Sequence, residues 1–162
     1  KTFETIHDFS EEVMAVEIAW TNPNILYVTT YLDWWAEKKI WRSSDAGVSW
    51  NEITPSSTLL DGDNWVPFDI TVSSNDENIL WAARTSQYGG GYPNLNGRQV
   101  YKTTNGGNTW INVTSSDLDG ESITNIIHQR GSNGGVYIGT RRAVYYLDNF
   151  PILNEFRLKH LK

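Results

Sequence analysis

The residues best suited to acid and base chemistry are three carboxylates in two acidic, aromatic segments. Asp33 stands in YLDWWAE (31–37), and Asp61 and Asp63 stand in TLLDGDNW (58–65). Two carboxyl groups on neighbouring loops, one donating a proton and one accepting or attacking, are what hydrolysis of a glycosidic bond requires. The same loops, together with SQYGGGYPNLNG (86–97), carry Trp34, Trp35, Trp65, Tyr88 and Tyr92, and Arg98 follows directly. Adjacent Trp34 and Trp35 cannot both turn to one face of an extended chain, so at least one ring is expected at the surface. A surface ring flanked by carboxylates and amides suits a sugar, whose apolar face stacks on the ring while its hydroxyls bond to the polar neighbours. The competing role for each ring is packing against its own loop. DGDN (61–64) lacks the twelve-residue loop with a terminal Glu that calcium takes, and reads as a turn. His7, His128 and His160 show no metal-ligand spacing, so no metal or cofactor is expected. The glycosylation tripeptide Asn112-Val113-Thr114 falls in a predicted strand.

Composition limits what can position these residues. With 162 residues, 39% hydrophobic and 20% charged, the chain is long enough for one packed domain and too short for two ordinary ones. Eight Trp, eight Tyr and five Phe with thirteen Gly and one Met describe a strand-rich protein with an aromatic, pleated core. The absence of Cys removes disulfides, thiolate metal sites and a cysteine nucleophile. A net charge of −6 without any basic stripe argues against nucleic acid as a partner. No apolar run approaches the roughly 18 residues that cross a bilayer, so membrane insertion is not expected.

The elements themselves repeat. NPNILYVTT (22–30) matches NDENILWAAR (75–84) and, more loosely, SNGGVYIGT (132–140), at offsets of 79 − 25 = 54 and 135 − 79 = 56. KIWRSSDAGVSW (39–50) matches QVYKTTNGGNTW (99–110) at 99 − 39 = 60, and AVYYLDN (143–149) matches their beginnings. The six extra residues between the first two copies fall in YGGGYPNLNG, an insertion in a loop. Period-two apolar spacing between turn residues predicts strands at 12–20, 25–31, 38–43 and 49–54; at 66–73, 79–85, 98–103 and 109–114; and at 123–129, 135–140 and 143–147. The expected class is all-β, with four antiparallel strands to a unit: 11–56, 64–116 and a partial unit at 122–162.

Two octets close the third strands, SSDAGVSW (43–50) and TTNGGNTW (103–110). They resemble the Asp-box, or BNR repeat, of sialidase-like propellers, xyloglucanase-type glycoside hydrolases and Vps10/sortilin-type receptors. The match rests on Ser43, Ser44, Asp45, Gly47 and Trp50, and on Thr103, Thr104, Asn105, Gly107 and Trp110, where Asn replaces Asp. The resemblance implies a β-propeller of about three blades, an incomplete ring, with each octet a structural turn between third and fourth strands. Such turns share a face with the first-to-second turns. The opposite face then collects the Trp-rich loops, with Asp119, Glu121 and the Arg141-Arg142 turn. Lys1-Thr2-Phe3 aligns with Asn51-Glu52-Ile53, so 1–10 is expected to be the outer strand of a preceding or exchanged blade. Arg84, Arg98, Arg130, Arg141 and Arg142 are numerous enough for a sialidase arginine cluster, yet that family's Arg-Ile-Pro segment is absent. The expected function is a module that binds a glycan or a protein through the loops opposite the octets. The alternative is part of a glycoside hydrolase completed by further blades. A secreted or cell-surface bacterial setting is expected, and the exposed blade faces imply either a piece of a longer exported propeller whose missing blades cover them or self-association of copies that exchange 1–10.

Overall fold

A computed structural model describes residues 2–33, 36–60, 68–85, 99–131 and 134–148. Asp61, Asp63, Trp34, Trp35, Trp65, Tyr88, Tyr92, Arg98 and the segment 149–162 lie outside the described residues. Among the described residues there are eleven strands: β1 (Glu12–Ile18), β2 (Leu26–Tyr31), β3 (Lys39–Ser43), β4 (Asn51–Glu52), β5 (Phe68–Val72), β6 (Leu80–Arg84), β7 (Val100–Thr103), β8 (Ile111–Asn112), β9 (Ile123–His128), β10 (Val136–Thr140) and β11 (Val144–Leu147). They form three antiparallel meanders, β1-β2-β3-β4, β5-β6-β7-β8 and β9-β10-β11. The all-β expectation holds, and each strand lies inside its predicted span. The fourth strands are shortest, because only Trp41↔Glu52 with Arg42↔Asn51, and Tyr101↔Asn112 with Lys102↔Ile111, form the ladders.

The sheets stack face to face with β1 against β5 and β5 against β9, the innermost strands of each sheet. Because successive side chains point to opposite faces, each sheet supplies two different surfaces. In the second sheet Phe68, Ile70, Val72, Leu80, Ala82 and Tyr101 turn toward the first sheet and join Ala19, Tyr27 and Ile40 in one core. Trp81, Ala83 and Val100 turn the other way and join Ile126, Val136, Ile138, Tyr145 and Leu147 in a second core. Full burial of each such aliphatic side chain contributes about 1.5–3 kcal/mol. Polar pins cross the same interfaces. The Thr29 hydroxyl donates to Phe68 O (3.0 Å) and the Tyr27 hydroxyl to Glu77 O (2.5 Å). Ile126 N donates to Asp69 Oδ2 (2.8 Å) and His128 N to Thr71 Oγ1 (3.0 Å).

Residues 2–9 differ from expectation, since they form no strand. The segment nevertheless lies over the first octet, where Ile6 meets Gly47 as Ile53 of the first sheet meets Gly107 of the second. The residue in the outer-strand position is thus Ile6, three places beyond the aligned Phe3, which is fully exposed. Aromatic packing sets this placement: His7 and Phe9 pack edge-on to each other, and Phe9 reaches both Trp41 and Trp50.

Candidate functional site

The octets fold alike atom for atom. The Ser43 and Thr103 hydroxyls each accept two backbone N–H groups, from Asp45 and Gly47 (3.3 and 2.9 Å) and from Asn105 and Gly107 (3.3 and 3.0 Å). The same hydroxyls donate to Asp45 Oδ1 (2.8 Å) and Asn105 Oδ1 (2.9 Å). Those oxygens in turn accept Ser49 N and Thr109 N, each at 2.9 Å. Asp45 Oδ2 accepts the Ser49 hydroxyl (2.6 Å), whereas the Asn105 amide donates to Thr109 Oγ1 (2.8 Å), so the exchange of Asp for Asn only reverses one bond. The Ser49 hydroxyl, then its backbone N–H and the Ser43 hydroxyl, hold the Asp45 carboxyl down to about 2. Ser44 and Thr104 are exposed and enter none of these bonds. Backbone conformation matches as well: Ala46 and Gly47 have φ of 59° and 92°, Gly106 and Gly107 of 67° and 93°. These side-chain bonds of Asp45 and Asn105 are all turned onto their own turn. The two Trp differ in partner: Trp50 Nε1 donates to Gly47 O (2.9 Å), Trp110 Nε1 to Ile53 O (2.7 Å) of the preceding sheet.

Each octet is pinned to the first turn of its own sheet, Ala46 N to Asn24 O and Gly106 N to Asn78 O, both at 2.9 Å. These bonds put third-to-fourth and first-to-second turns on one rim. The loops 32–38, 85–99 and 141–143 therefore leave from the other rim, joined by the segments that lead from one sheet to the next. Trp20 and Arg130, whose cation sits 4.6 Å from the indole centroid, lie with the first-to-second turns on the octet rim. Arg130 is thereby separated from Arg84, Arg141 and Arg142, and these four described arginines form no single cluster.

On the loop rim, Asp33 is engaged locally: its Oδ1 accepts Ala36 N at 2.7 Å. The residue that holds this loop is Lys38, almost fully buried, whose ammonium donates to Asp33 O and to Ala36 O (2.9 Å) and stands 4.6 Å from the Tyr31 ring centroid. Burial lowers its pKa, with Asp33 opposing. A lysine next to a second, half-exposed lysine gives no sequence signal of this kind. The connecting segments also close the cores, since Leu60 and Leu118 are buried in the first and second core respectively. Leu118 sits on a single 3-10 turn, Ser116–Leu118, capped by the Ser115 side chain. At the root of the 85–99 loop, Gln99 Nε2 donates to Glu121 O (3.2 Å), and Gln99 Oε1 and Glu121 Oε2 are buried with no donor among the described residues. Asp119 lies at the end of that same 3-10 turn. Among the described residues, no cluster of three His, Asp or Glu could hold a metal ion.

No protein-family model matches the chain, and no curated protein sequence matches it. Solved structures do. A GH74 enzyme of Niastella koreensis aligns with a TM-score of 0.68 at 18% identity, covering 97% of this chain and 25% of that one. YCF48 from Cyanidioschyzon merolae aligns at 0.62 and 14% identity, covering 92% of this chain and 40% of that one. The GH74 xyloglucanase from Xanthomonas campestris aligns at 0.59 and 12% identity, covering 83% and 21%. The chain spans less than half the length of each. All three are β-propeller proteins, and at these identities the likeness shows the fold: the three sheets are stacked as propeller blades.

Proposed function

We propose that this chain is a propeller module of the Asp-box type that binds carbohydrate through the rim opposite its octets. The observation that carries the reading is the segregation of the two rims. The octet side chains are engaged in holding their own turns on one rim, while the described strand ends at Tyr31, Arg84 and Val100 that flank the segments bearing Trp34, Trp35, Tyr88, Tyr92 and Arg98 in sequence lie at the other. Trp65 belongs in sequence to the connection between the first two sheets. Two of the similar structures are GH74 enzymes, one of them a xyloglucanase, which makes xyloglucan chains the first ligands to try.

Titration calorimetry with xyloglucan oligosaccharides tests this. Saturable binding is expected, weakened about two- to tenfold by Trp34→Ala or Trp35→Ala, the loss of one stacking contact of about 0.5–1.5 kcal/mol. Binding left unchanged by Trp34→Ala, Trp35→Ala and Trp65→Ala together would refute the rim as the site. Release of reducing ends that disappears in Asp61→Asn or Asp63→Asn would replace the binding module with a hydrolase. Asp33→Asn is the weaker probe, because that carboxylate already caps its own turn.

A further inference from the structure

The two octets are bonded alike, yet their tryptophans keep different company. Ile6 seats on Gly47 as Ile53 seats on Gly107, and counting on from that pair sets His7 against Thr54 and Phe9 against Ser56. In the first unit His7 and Phe9 both pack on Trp50, with ring centroids 6.1 and 5.1 Å away. In the second unit the equivalent positions carry hydroxyls in place of rings, and among the described residues no aromatic side chain packs on Trp110. The space that rings fill beside Trp50 is open beside Trp110. It is a cavity of about 550 Å³, lined by Thr54, Ser56, Thr58 and Leu59 of the connecting segment and by residues 107–110 of the octet. Both of the first two units contribute to it, so it lies within the stack and not at either end.

The polar groups around this cavity are left ready to donate. Asn105 Oδ1 is fixed by Thr109 N (2.9 Å), so the Asn105 amide donates to Thr109 Oγ1 (2.8 Å). The Thr109 hydroxyl thereby keeps its proton, whereas the equivalent Ser49 hydroxyl gives its own to Asp45 Oδ2 (2.6 Å). The Ser56 hydroxyl likewise accepts, from Leu59 N (3.3 Å). The side chains of Thr58 and Asn108 make no hydrogen bond among the described residues. Trp110 Nε1 is tied to Ile53 O (2.7 Å), which sets the half-buried indole before any ligand arrives. No charged side chain lines the cavity. An indole bordered by neutral hydroxyls and an amide matches a neutral sugar, whose apolar face stacks on the ring while its oxygens accept from the surrounding donors. We infer that this cavity binds a single neutral sugar residue, at a site separate from the loop rim and independent of it.

The test follows the indole N–H resonance of Trp110 in the isotope-labelled whole chain, assigned by its absence in Trp110→Phe. Methyl glycosides of glucose, galactose, mannose and xylose are titrated in turn. A saturable shift of that resonance is expected with at least one of them, and it should persist in Trp34→Ala and in Trp35→Ala. Ser56→Phe supplies the ring that Phe9 supplies in the first unit and should abolish the shift, while the urea midpoint stays level or rises. Asn105→Asp copies the first octet and draws the Thr109 proton back into the turn. It should weaken binding about two- to tenfold, the value of one neutral hydrogen bond, with the fold intact. No glycoside moving the resonance, or Ser56→Phe leaving the affinity unchanged, overturns the proposal. Loss of the shift in either loop-rim variant overturns it as well, because the two sites would then be one. Phenol binding more tightly than every glycoside does the same, since the cavity would then suit an aromatic ring and not a sugar.

Discussion

Gly47 and Gly107 share one backbone conformation, φ of 92° and 93°, and differ in what stands over them. Alanine at either position must adopt a left-handed conformation that costs about 1–3 kcal/mol. A methyl on Gly107 would also lie 2.5 Å from Ile53 Cβ and 2.6 Å from its Cδ1. Ile53 has little room to retreat, because Ile53 N donates to Ile40 O (2.8 Å) and Ile53 O accepts Trp110 Nε1 (2.7 Å). Overpacking of that kind adds about 1–3 kcal/mol. A methyl on Gly47 meets only Ile6 Cγ2, at 2.6 Å, on a segment without ladder bonds that can move aside. Gly107→Ala is therefore expected to destabilise by about 2–6 kcal/mol and Gly47→Ala by about 1–3 kcal/mol. Gly106→Ala calibrates the pair, since Ala46 already holds the equivalent position at φ 59°, and it should cost about 1 kcal/mol or less. Urea unfolding followed by tryptophan fluorescence measures all three, and Ile53→Ala in the Gly107→Ala background should recover part of the loss. Equal losses at the two glycines, or no recovery in the double variant, would refute the idea that Ile53 seats on the turn.

Two further predictions concern pH. The Asp45 carboxyl is held at about 2, below its ordinary 3.8, so the stability it lends is complete above 3.8 and disappears as pH falls toward 2. Asp45→Asn, which copies Asn105, should remove this acid dependence, read as a stability gap to the native chain that narrows between about pH 5 and pH 2. Glu17 behaves oppositely, since burial raises its pKa, with Arg130 opposing and Asp69 reinforcing. The folded chain then holds that proton more tightly than the unfolded one, and stability falls as pH rises from the ordinary 4.5 through the raised value. Glu17→Gln should gain in urea midpoint relative to the native chain near pH 7 but not near pH 3.5, and a gain of equal size at both would refute the assignment.

The strands were legible because a sheet buried on one or both faces imprints period two, and because each unit occurs again at offsets of 54 to 60. The two octets could be matched because Gly and Trp recur at the same offsets and the hydroxyl and Asx exchanges between them keep the oxygens that accept the backbone N–H groups of the turn. Three features were not legible. The place of Ile6 depends on where His7 and Phe9 find Trp50, a long-range contact that alignment from Phe3 does not register. Leu60 and Leu118 sit among turn residues, and nothing local says that they close the ends of two cores. Lys38 holds its loop through backbone carbonyls, which any sequence supplies. Asp33 was the candidate acid nearest to an aromatic pair, and its bond to Ala36 N gives that proximity a second explanation.

The short bonds from Ala46 to Asn24 and from Gly106 to Asn78 span 22 and 28 residues (46 − 24 and 106 − 78), so each four-stranded unit fastens its own two turns together without help from its neighbours. Closing so short a stretch costs little chain entropy, and units built this way nucleate one at a time. Evolution can then duplicate a unit or lengthen the free side of one, as the glycine-rich insertion near residue 90 illustrates, while the fastened side keeps its shape.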